Sequence, residues 1–195
     1  MPSNSPTYDV RLTLKPGRMA EPSVIRVAER NGWFLNRMGN RKKDIYIDQW
    51  LTPDEKTEIR YIEDRLTGIP FVTIRGEGHA LAQQLLRESC ELWEFQEALY
   101  VLGTTDDRDA ILTAVYATAY TAPCAPDDHL VQAFQSLSHS PDEALRQAIV
   151  VATGYLPWPP LVEIVRRIAE TDPVDHVRHN ARVLLEGLNL HGPLN

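Results

Sequence analysis

The spacing of apolar residues changes once along this chain, near residue 78. Before it, apolar and polar positions mostly alternate, the two-residue period of a half-buried strand; after it, apolar residues recur every three or four positions, the period of an amphipathic helix. In the first stretch Val10, Leu12 and Leu14 alternate and stop at Lys15-Pro16-Gly17, a strand closed by a turn. Pro22 stands at a helix start, Val24, Ile25, Val27 and Ala28 follow at helical spacing, and Asn31-Gly32 ends the run. Asp44–Asp48 predicts a strand with Ile45 and Ile47 on one face. Glu58–Glu63 and Ile69–Arg75 flank Leu66-Thr67-Gly68 and predict a hairpin, with Pro70 at a strand start or on an edge. The predicted order over residues 1–78 is βαβββ, a small α+β unit, with residues 1–6 as a tail.

The second stretch, residues 79–195, predicts helices at 79–89, 91–103, 107–121, 127–138, 142–155, 159–170 and 174–188. Short breakers divide them: Thr104-Thr105-Asp106, Pro123-x-x-Pro126, Ser138-His139-Ser140-Pro141, Pro157-Trp158-Pro159-Pro160 and Thr171-Asp172-Pro173. Asp, Ser or Thr at these points supplies an oxygen for the first unpaired amides of the next helix, and proline in a first turn forfeits no hydrogen bond.

A weak repeat runs through these helices. Ala117-Thr118-Ala119-Tyr120 recurs as Ala152-Thr153-Gly154-Tyr155, Leu130-Val131-x-x-Phe134-x-x-Leu137 as Leu161-Val162-x-x-Val165-x-x-Ile168, and Pro141-x-x-x-Leu145-Arg146 as Pro173-x-x-x-Val177-Arg178. The offsets are 35, 31 and 32 residues, the length of a helical pair in a repeat stack. Asp172-Pro173-Val174-Asp175-His176-Val177-Arg178, continuing through Ala181 to Leu185, resembles the first helix of a HEAT repeat; Pro141 to Ala148 matches more loosely, and Asp107 to Tyr120 has Ile111 where the arginine belongs. The resemblance covers residues 90–190 and implies an α-helical HEAT-like repeat stack. It also implies that Arg146 and Arg178 brace the turns by pairing with acids of neighbouring repeats. Such stacks are usually binding surfaces.

Charge sharpens this division. Residues 1–89 carry 14 Lys and Arg against 12 Asp and Glu, and residues 90–195 carry 6 against 15, a net −9. An acidic half repels a phosphate backbone, which disfavours nucleic acid as a ligand, and suits a partner protein with a basic surface. The apolar runs are too short to span a bilayer, the N-terminus has no signal-peptide pattern, and two cysteines make no disulfide framework. The expectation is a cytoplasmic protein of bacterial type.

Candidate chemistry is sparse. His176 and His179 lie three apart on one helix, as two ligands of a metal would. Asp106, Asp107 and Asp109 suit either a cation or a helix N-terminus. Gly76-Glu77-Gly78 joins strand to helix without a phosphate-loop spacing, and Glu77 opposes an anion. Cys124 has His129 five residues on, whereas Cys90 reads as core. Arg37, Arg41, Lys42 and Lys43 form the one basic cluster, a solvated loop or an interaction site. Trp158, framed by prolines, is a lid on the core or an exposed anchor. No catalytic residue, metal or cofactor is expected. The expected function is protein binding by an adaptor, a regulator or a neutralising, immunity-like or antitoxin-like partner. The expected contact residues are Gln132, Gln135, Trp158, Glu163, Arg166 and Arg167. The alternative is a nucleic-acid-acting protein similar to the HEAT-like alkylpurine DNA glycosylases.

Overall fold

The computed structural model describes residues 10–191, so the tail expected at residues 1–6 lies outside the described residues. The chain forms two compact units that divide between Trp93 and Glu94. The expected boundary at 78/79 is corrected, because the helix that follows residue 78 packs in the first unit.

The first unit contains β1 (Val10–Thr13), α1 (Ala20–Arg30), β2 (Phe34–Arg37), β3 (Ile45–Leu51), β4 (Thr57–Asp64), β5 (Pro70–Gly76) and α2 (His79–Ser89). The strands form one antiparallel sheet in the order β1-β5-β4-β3-β2. The predicted β4–β5 hairpin is present, with Ile59 opposite Ile74 and Tyr61 opposite Val72. β2 was not expected; with Asn36 as a bulge between Leu35 and Arg37, the four residues Phe34-Leu35-Asn36-Arg37 show no clean alternation. The inner face presents Leu12, Tyr46, Trp50, Ile59, Tyr61, Val72 and Ile74 to one core with Val24, Val27 and Ala28 of α1 and Ala82 and Leu86 of α2. The strand at 44–48 is therefore oriented by Tyr46 and Trp50. Ile45 and Ile47 do share a face, but it is the opposite one, and Ile45 is exposed.

The second unit is all helical: α3 (Phe95–Thr104), α4 (Arg108–Thr121), α5 (Asp128–Leu137), α6 (Glu143–Tyr155), α7 (Pro159–Thr171) and α8 (Asp175–His191). The breakers work as expected. Asp107, Asp127 and Asp142 each accept a backbone N–H in the first turn of the next helix, and prolines occupy the first two positions of α7. The helices pack in two layers: α3 on α5 on α7, and α4 on α6 on α8, with α3 tight against α4 and α7 tight against α8. The tightest pairs are thus α3–α4 and α7–α8, one helix out of phase with the sequence repeat, which begins at α4 and α6. The apolar stripes close the core as their spacing predicts. Leu130, Phe134, Leu161, Val165 and Ile168 are buried, Val131 and Leu137 pack partly buried against them, and Val162 is half-buried.

The repeated motifs also meet in space. Tyr120 and Tyr155, the last residues of the first repeat pair, pack edge to face with ring centroids 4.9 Å apart. Arg146 donates Nε to Asp172 Oδ2 (2.7 Å) and Nη2 to Asp172 Oδ1 (3.1 Å), and its Nη1 reaches the Ser140 and Pro141 carbonyls. This pair is buried and ties the start of α6 to the turn before α8. Burial raises the Asp172 pKa, but the Arg146 hydrogen bonds, the Val174 amide and the nearby guanidinium charges outweigh it and hold the carboxyl below its ordinary range. Arg178 departs from the implied role: it bonds the Asp172 carbonyl, in the turn before α8, and Asp175, in the first turn of α8. Arg108, one turn before Ile111, pairs instead with Asp142, the N-cap of α6.

Candidate protein-binding surface

The strongest candidate surface is the outer side of α3, α5 and α7. Each helix buries one stripe, so the opposite side faces solvent. On α5 and α7 this side carries Gln132, Gln135, Glu163, Arg166 and Arg167, and the packing of α5 on α7 brings them together. Arg167 donates to the Gln135 side chain across the two helices, and Arg166 pairs with Glu163 at 3.0 Å along α7. Gln132, Glu163, Arg166 and Arg167 are exposed, and Gln135 is half-buried.

Trp158 does not belong to this surface. Its backbone N–H bonds the Leu156 carbonyl at 2.8 Å, and its indole is only 6% exposed within the helical core. The anchor expectation is corrected: the prolines on either side fold the short loop inward, and the ring serves as a lid.

The residue that sequence reasoning missed is Tyr100. It lies on α3, is 70% exposed, and borders an open groove of about 450 Å³ lined by Leu99, Gln96, Gly103, His129 and Ala133. In the sequence it is hidden in the run Ala98-Leu99-Tyr100-Val101-Leu102, which reads as core throughout. Only Ala98 and Leu102 of that run are fully buried, and the helical twist turns Tyr100 to the far side. A second groove, about 420 Å³, opens where α5 and α7 end and α6 and α8 begin, with Arg167, His139, Glu143 and the committed pair Arg146–Asp172 on its walls.

Most of the cationic groups of this unit are already engaged. Of its six arginines, Arg108, Arg146, Arg166 and Arg178 form ion pairs. The remaining sequence candidates are placed as follows. Asp107 caps α4, its carboxylate accepting the Ala110 N–H at 2.7 Å. His176 and His179 are exposed on α8, and among the described residues no three His, Cys, Asp or Glu side chains converge as a metal set would. Gly78 donates its N–H to Thr57 Oγ1 at 2.8 Å and Glu77 pairs with Lys56, so the Gly76–Gly78 turn is closed by its own side of the sheet. Cys124 and His129 are both exposed, and burial pushes the Cys90 thiol up to about 11. In the basic cluster Arg41 is taken by Glu21 and Glu63, whereas Arg37, Lys42 and Lys43 are exposed. No helix of the described residues is long and apolar enough to cross a membrane.

In sequence, no model of a known protein family matches the chain, and no characterised protein matches it either.

Proposed function

We propose that α3–α8 form a HEAT-like stack whose α3–α5–α7 side binds a partner protein, making the chain a cytoplasmic adaptor, regulator or neutralising partner. The observation that carries this reading is Tyr100. Tyr100 is 70% exposed and borders an open, largely apolar groove, and tyrosine is among the side chains enriched at interface hot spots. The neighbouring Glu163, Arg166 and Arg167 provide the polar rim that such a centre needs. The two-layer helix order, the Tyr120–Tyr155 contact and the Arg146–Asp172 brace support the HEAT-like assignment. The net −9 of residues 90–195 favours a basic patch on the partner. The glycosylase-like alternative loses ground here, since four of the six arginines available to phosphates are already neutralised.

The test is photocrosslinking in cells of the source organism, with a photoreactive residue at position 100 or 166 and a control at His179 on α8. One protein captured from positions 100 and 166, absent from position 179, and lost from position 166 when Tyr100→Ala is added, supports the reading. Equal capture from all three positions, or capture of nucleic acid, refutes it.

A further inference from the structure

We propose that the outer edge of β2 is a second docking site, where an acidic, extended segment of a partner protein adds to the sheet as a sixth strand. The backbone is available for it. Thr52 N donates to Thr57 O at 3.0 Å, so Thr52 and every second residue before it on β3 turn their backbone groups toward β4, and Leu51 and Gln49 turn theirs toward β2. Phe34, opposite Leu51, and Arg37, opposite Gln49, therefore use their backbone groups inside the ladder. Leu35, opposite Trp50, turns its N–H and C=O outward.

The side chains describe the strand that would bind. All four residues of β2 are exposed, including Phe34 at 41% and Leu35 at 43%, and the following Met38 is 73% exposed. β2 has the bulge and the cation that edge strands use against aggregation, at Asn36 and Arg37, but it also leaves Phe34, Leu35 and the following Met38 exposed, which such protection does not require. Arg37 on β2 and Lys42 and Lys43 in the loop that follows it are exposed and form no ion pair with a described acidic residue, which selects for Asp and Glu in the incoming chain. A second copy pairing edge to edge would bring these like charges together.

The cations are also presented on an ordered loop. Gly39 N–H bonds Asp48 Oδ1 at 2.7 Å, and the buried Asp48 accepts the Tyr46 hydroxyl at 2.8 Å. A Cβ at Gly39 would lie 2.6 Å from the Tyr46 ring, so glycine lets the loop close on it. Arg41 stacks 4.3 Å over the other side of the network, on Tyr46, while bonding Glu21 and Glu63. Arg41 thus holds the loop, and its neighbours are left to bind; a pre-ordered loop lowers the entropy lost on docking.

The experiment titrates the full chain with fluorescein-labelled eight-residue peptides of alternating Glu-Val or Lys-Val, and follows amide hydrogen exchange at Leu35. The expected result is binding at least about tenfold tighter for Glu-Val, slowed exchange of the Leu35 amide in that complex, and reversal of the preference in Arg37→Glu/Lys42→Glu/Lys43→Glu. Leu35→Pro removes the outward N–H but no ladder bond, so it abolishes binding while the fold persists; if it does not fold, the charge-reversed variant decides. Tyr100→Ala leaves this binding unchanged, which separates it from the helical surface. Equal binding of both peptides, an unaltered Leu35 amide, or a concentration-dependent dimer that already protects Leu35 overturns the proposal.

Discussion

Replacing Asp172 by Asn tests whether the Arg146–Asp172 pair holds α6 to the turn before α8. The substitution keeps the shape but removes the charge and one of the two acceptor positions facing the guanidinium. Arg146 cannot compensate through water, because its side chain is 6% exposed and that of Asp172 only 1%. Breaking one partner of a buried pair typically costs about 3–5 kcal/mol, since the other charge is left uncompensated. The Asn oxygen retains one hydrogen bond, which places the expected loss at the lower end, about 3 kcal/mol. With a urea slope of about 2 kcal/mol/M, the helical transition, followed by circular dichroism, moves down by about 1.5 M. Adding Arg146→Met to Asp172→Asn removes the stranded cation and restores part of the loss. The pH dependence has a defined sign. Asp172 titrates lower in the folded chain than in the unfolded one, so its contribution is complete above the unfolded carboxylate value of about 3.9 and fades as pH falls through the depressed folded value. The gap between wild type and Asp172→Asn is therefore constant from pH 7 to 5 and narrows below about 4. A loss under about 0.5 kcal/mol, or a gap that narrows between pH 7 and 5, refutes the brace.

Three further outcomes follow from the same packing. Phe134 is fully buried in α5, and Phe134→Ala should destabilise the helical unit by roughly 3–5 kcal/mol in a urea titration. Gly76 has φ +125° and a Cβ there would meet the Lys56 carbonyl oxygen at 1.9 Å, so Gly76→Ala should lower the melting transition of the sheet unit by at least about 2 kcal/mol. Thiol titration of the native chain at pH 8 should modify the exposed Cys124 quickly and Cys90 slowly, because Cys90 is half-buried with its thiol pushed up to about 11; equal rates would contradict that burial.

The sequence announced most of the helical unit because its signals are local. A cap oxygen, a proline in the first turn and an apolar stripe all act within one or two turns, and they set the ends of α4 to α7 to within a residue or so. The sheet was less legible where its order depends on distant partners. β2 exists because Leu51 and Gln49 offer it a ladder, and nothing within Phe34–Arg37 encodes that. The face of β3 was hidden for a related reason: Ile45 and Ile47 look like core, but Tyr46 and Trp50 bury more surface, and the face that buries the larger rings wins. The unit boundary moved for the same cause, since only packing reveals that α2 belongs with the strands.

The residues of the proposed surface divide along the same line. Of the residues proposed for the helical surface, Gln132, Glu163, Arg166 and Arg167 are exposed, as polarity at helical spacing predicts, and Gln135 is half-buried. Trp158 and Tyr100 are not placed this way, because an aromatic ring fits either side of a helix and only the packed neighbours decide. Trp158 has the helical core against it and is buried; Tyr100 has an open groove and is not. The two aromatics thus exchange the positions that composition suggests: the proline-framed tryptophan in a loop is buried in the core, and the tyrosine in a continuous apolar run is exposed. Tyr100→Ala should for that reason leave the urea midpoint nearly unchanged, within about 0.5 kcal/mol, whereas Trp158→Ala should cost roughly 3–5 kcal/mol. A large loss from Tyr100→Ala would mean that its ring supports the helices, and would remove the central anchor from the proposed interface.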